Sequence, residues 1–223
     1  MEKRWKMILL LGIILLFSAC SRRLQETTAT SRPSSASKEK QEELKTMSKE
    51  NILIAYFSRA GENYNVGFVE KGNTAFLAEM IAEEINGELF EIQTVKDYPE
   101  GYEETKAVVQ EEQERNERPE LSNDLDSLEA YDTLFIGYPI WWGDMPLAVY
   151  SFLESHEFAG ERVIPFCTHE GSGLATTPQT LQRLVSEANV LAGLSISGKV
   201  AQESQDKARA EVREWLKSLG FID

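Results

Sequence analysis

The sequence has few of the residues that build metal sites or disulfides, with two cysteines and two histidines in 223 residues. His156 and His169 have no metal-ligand spacing with each other or with Cys20 and Cys167. No zinc, haem or iron–sulfur pattern is present, so we expect no metal. The sequence also lacks a Gly-x-Ser-x-Gly elbow, a Ser-His-Asp order and carboxylates paired at catalytic spacing. We therefore predict no catalytic residue.

Positive charge is scarce outside the N-terminal region. Residues 1–48 carry nine Lys or Arg and five Asp or Glu, so residues 49–223 carry 14 and 32, a net charge of −18. Such a surface repels nucleic acid and anionic lipid, and it favours a partner protein with a basic surface. Solubility alone would account for the same acidity. We expect no nucleic-acid partner.

Long hydrophobic runs are also rare, and the one near the start, from Met7 to Phe17, is too short to span a bilayer comfortably. A basic segment (Lys3, Arg4 and Lys6) precedes it, which is typical of a secretory signal. Phe17-Ser18-Ala19-Cys20 resembles the end of a bacterial lipoprotein signal. We therefore predict a signal peptide over residues 1–20, with Cys20 lipidated and the protein anchored on the extracytoplasmic side of the cell membrane. A plain signal peptide with an incidental cysteine is the alternative.

Residues 21–48 are rich in Ser, Thr, Lys, Glu and Gln and contain no apolar periodicity, so we predict a flexible tether there. A single domain is expected over residues 49–223. If Cys20 carries lipid, Cys167 has no partner for a disulfide. Cys167 lies in an apolar run, so we interpret it as a small buried hydrophobic residue and not as a nucleophile.

The stretch from Asn51 to Thr74 predicts a strand, a polar loop and the start of a helix. The apolar run that ends at Phe57 is typical of a strand buried on both faces in a parallel sheet. Polar and small residues begin at Ser58, and a helical pattern runs from Asn73, the predicted N-cap, to Gly87, the predicted stop. The free N–H groups and the positive dipole end of such a helix form an anion site. We expect a phosphate there.

Four further strands and four further helices alternate in the rest of the chain. The predicted strands are Glu88–Val95, Tyr131–Pro139, Arg162–Thr168 and Val190–Ile196, and the helices begin at Tyr102, Pro146, Pro178 and Asp206. Five strands alternating with five helices imply an α/β fold, a doubly wound five-stranded parallel sheet with helices on both faces and right-handed crossovers. A ligand of such a sheet binds at the carboxyl ends of the strands.

The loop after the third predicted strand contains two adjacent tryptophans, Trp141 and Trp142, between Pro139 and Gly143. Two neighbouring tryptophans in such a loop are hard to bury together, so we interpret them as walls of a flat apolar slot. Stacking on aromatic planes adds about 0.5–1.5 kcal/mol beyond area burial. Core packing or an exposed patch is the alternative. His169, after the fourth strand, is either a ring contact or proton donor, or an ordinary loop histidine.

Ser58, Ala60 and Gly72-Asn73-Thr74 resemble the phosphate loop of flavodoxin-like FMN proteins, with an insert from Gly61 to Lys71 between the halves. A register that starts the helix after Gly61-Glu62-Asn63 is the alternative, but Gly67 and Gly72 would then interrupt the helix. The resemblance covers most of Asn51 to Phe221 and is of the flavodoxin_4 type. It implies strand order 2-1-3-4-5 and FMN as cofactor.

The resemblance and the loop chemistry together assign fifteen residues to FMN. They are Ser58, Arg59, Ala60, Asn73 and Thr74 at the phosphate; Pro139, Ile140, Trp141, Trp142 and Gly143 beside the ring; and Thr168, His169, Gly171, Ser172 and Gly173 after the fourth strand.

The resemblance implies an FMN-binding lipoprotein that acts in electron transfer at the outer face of the membrane. Its partner would be a redox protein with a basic surface or a small electron acceptor. The acidic domain favours a one-electron carrier, because a second negative charge on the flavin is costly in an acidic, partly dry site. An FMN-dependent reductase of quinones or similar acceptors is one alternative. A cofactor-free binding module is the other, and the insert in the phosphate loop keeps it open.

Overall fold

A computed structural model describes residues 51–223, so the predicted signal peptide, its Cys20 and the tether lie outside the described residues. The strands are β1 (Ile52–Tyr56), β2 (Gly61–Asn63), β3 (Gly67–Val69), β4 (Glu88–Glu91), β5 (Thr133–Pro139), β6 (Arg162–His169), β7 (Asn189–Val190) and β8 (Leu194–Ser197). The helices are α1 (Asn73–Ile85), α2 (Tyr102–Arg115), α3 (Leu147–Glu154), α4 (Thr177–Leu184), α5 (Gly198–Glu203) and α6 (Gln205–Ser218). No helix in residues 51–223 is long and apolar enough to cross a membrane.

The main sheet is parallel and has the order β4-β1-β5-β6, with β7 and β8 both paired to the outer side of β6. If β7 and β8 are counted as one broken strand, this is the order 2-1-3-4-5. The prediction of a doubly wound α/β sheet is therefore confirmed. The carboxyl ends of β1, β5 and β6 lie side by side, so the loops after these strands meet at one edge.

The two faces of the sheet pack into separate cores, because successive side chains of a strand point to opposite faces. Leu53 and Ala55 of β1 belong to the core that contains α3 and α4, with Phe152 and Leu181 among its buried members. Ile54 and Tyr56 belong to the other core, which contains α1 and α6. Every residue of β1 is buried, as its continuous apolar sequence predicts.

The fifth strand is broken, contrary to the prediction of one strand over residues 190–196. The β7 strand pairs with Arg162 and Val163, and β8 pairs with Phe166 to His169, so the ladder is interrupted opposite Pro165. Proline has no N–H to donate to a ladder. Gly193 fills the interruption, where a Cβ atom would come within 2.8 Å of the Pro165 carbonyl oxygen.

Other differences from the sequence predictions occur in the second strand, at the end of α1 and before α6. The second strand ends at Glu91 and not at Val95. Beyond that end, Thr94 forms only an isolated antiparallel bridge with Leu121. Helix α1 ends through the left-handed conformation of Asn86 (φ 53°), so Gly87 is not the residue that closes it. The short helix α5 precedes α6 and was not predicted.

The insert forms a small antiparallel hairpin of β2 and β3 that is separate from the main sheet. Its start is joined to the loop before α2, because the N–H of Glu62 donates to the Glu100 carbonyl at 2.7 Å. The N–H of Tyr102 donates to the Glu62 carboxylate at 3.1 Å. Helix α1 begins at Asn73, as the preferred register predicts, and the alternative start after Gly61-Glu62-Asn63 is wrong.

Candidate functional site

The loop between β1 and α1 is closed by a hydrogen bond from the helix to the end of the strand. The N–H of Ala75, in the first turn of α1, donates to Ser58 Oγ at 3.1 Å. Gly72 occupies the N-cap position, so the prediction of Asn73 as N-cap residue is wrong by one residue. Ser58, in the loop after β1, performs the capping, since a first-turn N–H has no acceptor within its own helix.

Asn73 and Thr74 are held by residues that are distant in sequence. Asn73 Oδ1 accepts a hydrogen bond from Gln202 Nε2 at 2.8 Å. Thr74 is buried, and its hydroxyl lies 2.8 Å from the hydroxyl of Thr168. The helix start is thereby tied both to α5 and to the end of β6. The Thr74 side chain is therefore fixed inside the protein against the end of β6.

The Arg59 side chain folds over the insert and does not point freely to solvent. Its Nη1 donates to the carbonyls of Pro99 (2.9 Å) and Glu100 (3.2 Å), and its Nη2 donates to the Glu62 carbonyl. Its Nε is buried and has no hydrogen-bond partner among the described residues. Burial lowers the pKa of Arg59, and the nearby Glu62 opposes that shift. The arginine is therefore a positioned cation whose buried Nε–H remains a donor without a partner among residues 51–223.

The Trp141-Trp142-Gly143-Asp144 segment is a tight turn closed by reciprocal backbone hydrogen bonds. Trp141 N–H donates to the Asp144 carbonyl at 2.8 Å, and Asp144 N–H donates to the Trp141 carbonyl at 3.1 Å. Both central residues have positive φ, 51° for Trp142 and 82° for Gly143. This is the sign pattern of a type I′ turn, which favours Asn and Gly, and it costs free energy when a bulky residue adopts it. Trp142 is nevertheless 61% exposed at the tip.

The two tryptophans therefore have different surroundings. Trp141 packs edge-to-face against Phe57 and Tyr98, with ring centroids 5.4 and 5.1 Å away. Phe57 and Tyr98 also meet edge-to-face, at 5.6 Å, so the three rings form a closed triangle. Trp141 is thus fixed by its neighbours, whereas Trp142 presents its ring outward. The slot that was predicted from both tryptophans has one anchored and one exposed member.

Tyr98 links the aromatic triangle to α2. Its hydroxyl donates to Glu112 Oε2 at 2.9 Å. Burial is the main cause that raises the pKa of Tyr98, followed by the nearby carboxylate of Glu112. Burial also raises the pKa of Glu112, and the hydrogen bond from Tyr98 opposes this shift. The hydrogen bond holds the triangle against α2, and burial favours the protonated form of both side chains.

The loop after β6 is organised by His169 and Glu170. His169 Nδ1 accepts a hydrogen bond from the Gly171 N–H at 2.9 Å, so in the neutral ring the proton is on Nε2. The N–H of Gly171, a residue assigned to FMN from the sequence, is consequently not free for a ligand. Gly171 and Gly173 both have positive φ, 112° and 59°. Glu170 Oε1 accepts a hydrogen bond from the Lys199 N–H of α5 at 3.2 Å.

Cys167 is fully buried in β6, as expected for a small hydrophobic residue. Burial raises the pKa of its thiol to about 12. A thiol is nucleophilic only as the thiolate, so Cys167 is chemically inert in the folded protein. No cluster of metal-ligating residues occurs in residues 51–223.

A cavity of about 240 Å³ connects the loops after β1, β5 and β6. Of the predicted residues it is lined by Arg59, Asn73, Pro139, Ile140, Trp141, Trp142, Thr168 and His169. A second cavity of about 600 Å³ shares Arg59 and is lined by Ser58 and Ala60. The sharing of Arg59 places the two halves of the predicted phosphate site next to each other. Thr74, Gly143, Gly171, Ser172 and Gly173 line neither cavity.

One wall of the smaller cavity was missed by the sequence analysis. It comes from the hairpin and α2, and its residues are Asn63, Tyr64, Tyr102, Thr105, Lys106 and Val109; Glu170 joins them from the loop after β6. Tyr64 and Tyr102 stack with centroids 5.7 Å apart and an interplanar angle of 28°. Lys106 Nζ lies 5.5 Å from the Tyr102 ring centroid and pairs with Glu103. Tyr64 in the insert and Tyr102 at the start of α2 are the local aromatic signal for this wall.

The model of the Flavodoxin family matches residues 51–219 of this chain. The chain belongs to the flavodoxin family. This match covers the whole sheet and all the loops that line the two cavities, and it confirms the family predicted from the phosphate loop. A comparison with curated proteins found no match.

This flavodoxin-family domain is also similar to solved structures. A candidate flavoprotein from Bacteroides eggerthii is 26% identical over 77% of this chain and 99% of its own, with a TM-score of 0.61. A candidate flavoprotein from Bacteroides uniformis is 30% identical over 76% of this chain and 99% of its own, with a TM-score of 0.58. A flavoprotein from Lactobacillus acidophilus, solved in complex with FMN, is 21% identical over 74% of this chain and 98% of its own. Its TM-score of 0.54 shows a shared fold.

Proposed function

We propose that this flavodoxin-family domain binds FMN in the 240 Å³ cavity and carries electrons. One observation carries the proposal: a single cavity is lined by the α1 N-terminus, by the positioned Arg59 and by the exposed Trp142. Family membership and the FMN complex of the Lactobacillus flavoprotein support the same cofactor. When bound, FMN would supply the redox chemistry, and the lining residues would bind and orient it.

The residues at the phosphate end fit an anion. The first-turn N–H groups of α1 have no intrahelical acceptors, and Ser58 satisfies that of Ala75. The buried Nε of Arg59 is a donor without a partner among residues 51–223, and its guanidinium is held in place by three backbone carbonyls. Charge-assisted hydrogen bonds to phosphate are the strong type. The Arg59 side chain would thus hold the phosphate without reorganising.

The residues at the ring end fit a flat aromatic group. Trp142 is held by the closed turn in a conformation that is costly for a bulky residue, and strain of this kind clusters at ligand sites. Trp141 is fixed behind it by the aromatic triangle. A rigid wall loses little conformational entropy on binding, so stacking at this turn would contribute fully to affinity. Pro139 and Ile140 would complete the apolar surface.

Titration of the apo protein with FMN and with riboflavin tests the cofactor and its orientation. FMN should bind much more tightly than riboflavin, because only FMN has the phosphate. The Arg59→Gln variant should weaken FMN binding and leave riboflavin binding unchanged. Equal affinities for the two flavins would move the site away from the α1 N-terminus. No binding of either would favour the cofactor-free binding module.

A reductase of quinones or similar acceptors is the second candidate, and the wall formed by Tyr64, Tyr102 and Lys106 favours it. This wall extends the cavity beyond the predicted phosphate and ring loops, so it offers space and aromatic surface to a small second substrate. Anaerobic stepwise reduction of the loaded protein separates the candidates. Two resolved one-electron steps would support the carrier. A single two-electron step, with turnover of NADH and a quinone, would support the reductase.

The location at the membrane is proposed from the leader sequence alone. Lipid on Cys20 would hold the domain on the extracytoplasmic side, with residues 21–48 as the tether, and two or more acyl chains are needed for stable anchoring. A redox partner with a basic surface would suit the acidic domain. The Cys20→Ser variant should leave the membrane fraction, and full retention of that variant with the membranes would contradict the anchor.

A further inference from the structure

Gln202 of α5 makes two hydrogen bonds to the start of α1, although 129 residues separate it from Asn73. Its Nε2 donates to the Lys71 carbonyl at 2.7 Å and to Asn73 Oδ1 at 2.8 Å. A side-chain amide has two N–H donors, so both are used on the loop that precedes the helix. The Gln202 side chain is half-buried, which shields these bonds from water.

The bond to Lys71 fixes the direction of a neighbouring N–H group. A peptide unit is planar and trans, so its carbonyl and the following N–H point in opposite directions. Holding the Lys71 carbonyl against α5 therefore sets where the Gly72 N–H points. The Lys71 side chain does not compete for this role, because it pairs with Glu79 and lies 4.6 Å from the Phe76 ring centroid.

Helix α5 also packs tightly against both loops of the site. At Gly198 a Cβ atom would lie 2.9 Å from Glu170 Oε1 and closer still to Asn73 Nδ2. Glu170 in turn accepts the hydrogen bond from the Lys199 N–H. Helix α5 thus contacts both the loop before α1 and the loop after β6. Its hydrogen bonds to the loop before α1 come from Gln202.

We propose that Gln202 is a positioning residue for phosphate binding, which acts by orienting the Lys71–Asn73 backbone. This inference rests on the proposed FMN function. Gln202 does not line either cavity, so it acts through the loop and not by touching the cofactor. Its loss should weaken recognition of the phosphate and leave recognition of the ring unchanged.

Three full-length variants test this role. Gln202→Leu removes both donors at similar volume, and Gln202→Glu keeps the shape but replaces the donors by acceptors. Gln205→Leu, at the exposed start of α6, is the matched control. The FMN dissociation constant should rise about tenfold in the Leu variant and more in the Glu variant, with riboflavin affinity unchanged in all three. A purely structural role would weaken FMN and riboflavin together, and an unchanged ratio of their affinities would overturn the proposal.

A second measurement needs no cofactor. Amide hydrogen exchange at Gly72, Asn73 and Ala75 should quicken in apo Gln202→Leu, and exchange in β5 should not change. Unchanged exchange at the three amides would overturn the positioning role, whether or not FMN binds. If the wild-type protein binds no FMN, the proposed function fails, and the exchange measurement still decides the role of Gln202.

Discussion

Gly72 should be intolerant of even one added methyl group. Its backbone is in an ordinary extended conformation, with φ −64° and ψ 153°, so alanine would suffer no backbone strain there. Alanine is excluded because the neighbouring atoms leave no room for a Cβ atom. A Cβ atom would lie 2.6 Å from the Arg59 carbonyl oxygen, 2.7 Å from the Arg59 nitrogen and closer still to Ser58 Oγ. Two of these atoms belong to backbone and cannot rotate away.

The cost of Gly72→Ala can be worked from these contacts. Overpacking in a tight site costs about 1–3 kcal/mol. Displacing Ser58 also weakens its hydrogen bond with the Ala75 N–H, a capping interaction of about 0.5–2 kcal/mol. The reduced entropy of the unfolded chain returns about 0.4–1 kcal/mol. The free energy of unfolding should therefore fall by about 0.5–4.6 kcal/mol, the net range of these three terms.

Gly101 offers a matched control for this substitution. It occupies the N-cap position of α2 with φ −76° and ψ 144°, close to the values at Gly72. A Cβ atom there would meet only the side chain of Glu104, whose carboxylate can swing away. Both substitutions share the loss of glycine at an N-cap, so their difference measures the contacts with Ser58 and Arg59.

Urea unfolding of the apo proteins measures the free energy of unfolding of each variant, and FMN titration measures its affinity for FMN. Gly72→Ala should be less stable than Gly101→Ala and should bind FMN more weakly. Adding Ser58→Ala should reduce the cost of Gly72→Ala, because one of the three close contacts is removed. The reasoning is refuted if Gly72→Ala is as stable as Gly101→Ala, or if its cost is the same with and without the Ser58 hydroxyl.

Three further predictions concern the turn, α2 and the buried thiol. Trp142→Asn should raise the free energy of unfolding by about 1 kcal/mol in urea, since Asn tolerates positive φ, and should weaken FMN binding; a loss of stability would contradict the strain. Burial raises the pKa of Glu112 above its ordinary 4.5, so its favourable contribution is full below pH 4.5 and is lost as the pH rises through the raised value. Glu112→Gln should therefore gain stability relative to wild type between pH 4 and 8 in urea titrations, whereas the exposed Glu114→Gln control should not. Cys167 should remain unmodified by a thiol reagent at pH 8 until urea unfolds the Cys20→Ser variant, and rapid labelling of the folded protein would show that the thiol is accessible.

The local hydrophobic pattern of the sequence alone determined the main strands and helices of this protein. The apolar run up to Phe57 identified a strand buried on both faces, and the helical spacing after Asn73 identified α1. Such runs specify their elements because periodicity is read within a few residues. The loops after β1, β5 and β6 could be singled out for the same reason, and parallel strand order then brings their ends together.

The tertiary structure decided which atoms of those loops are available to a ligand. Ser58 caps a helix that begins fifteen residues later, Thr74 shares a hydrogen bond with Thr168, and the side chain of Arg59 is held by carbonyls near Pro99. Gln202 reaches the same loop from near the end of the chain. These hydrogen bonds join segments far apart in sequence, and their partners depend on where whole elements pack. Sequence periodicity fixes which residues enter an element, but only packing fixes which donors and acceptors meet.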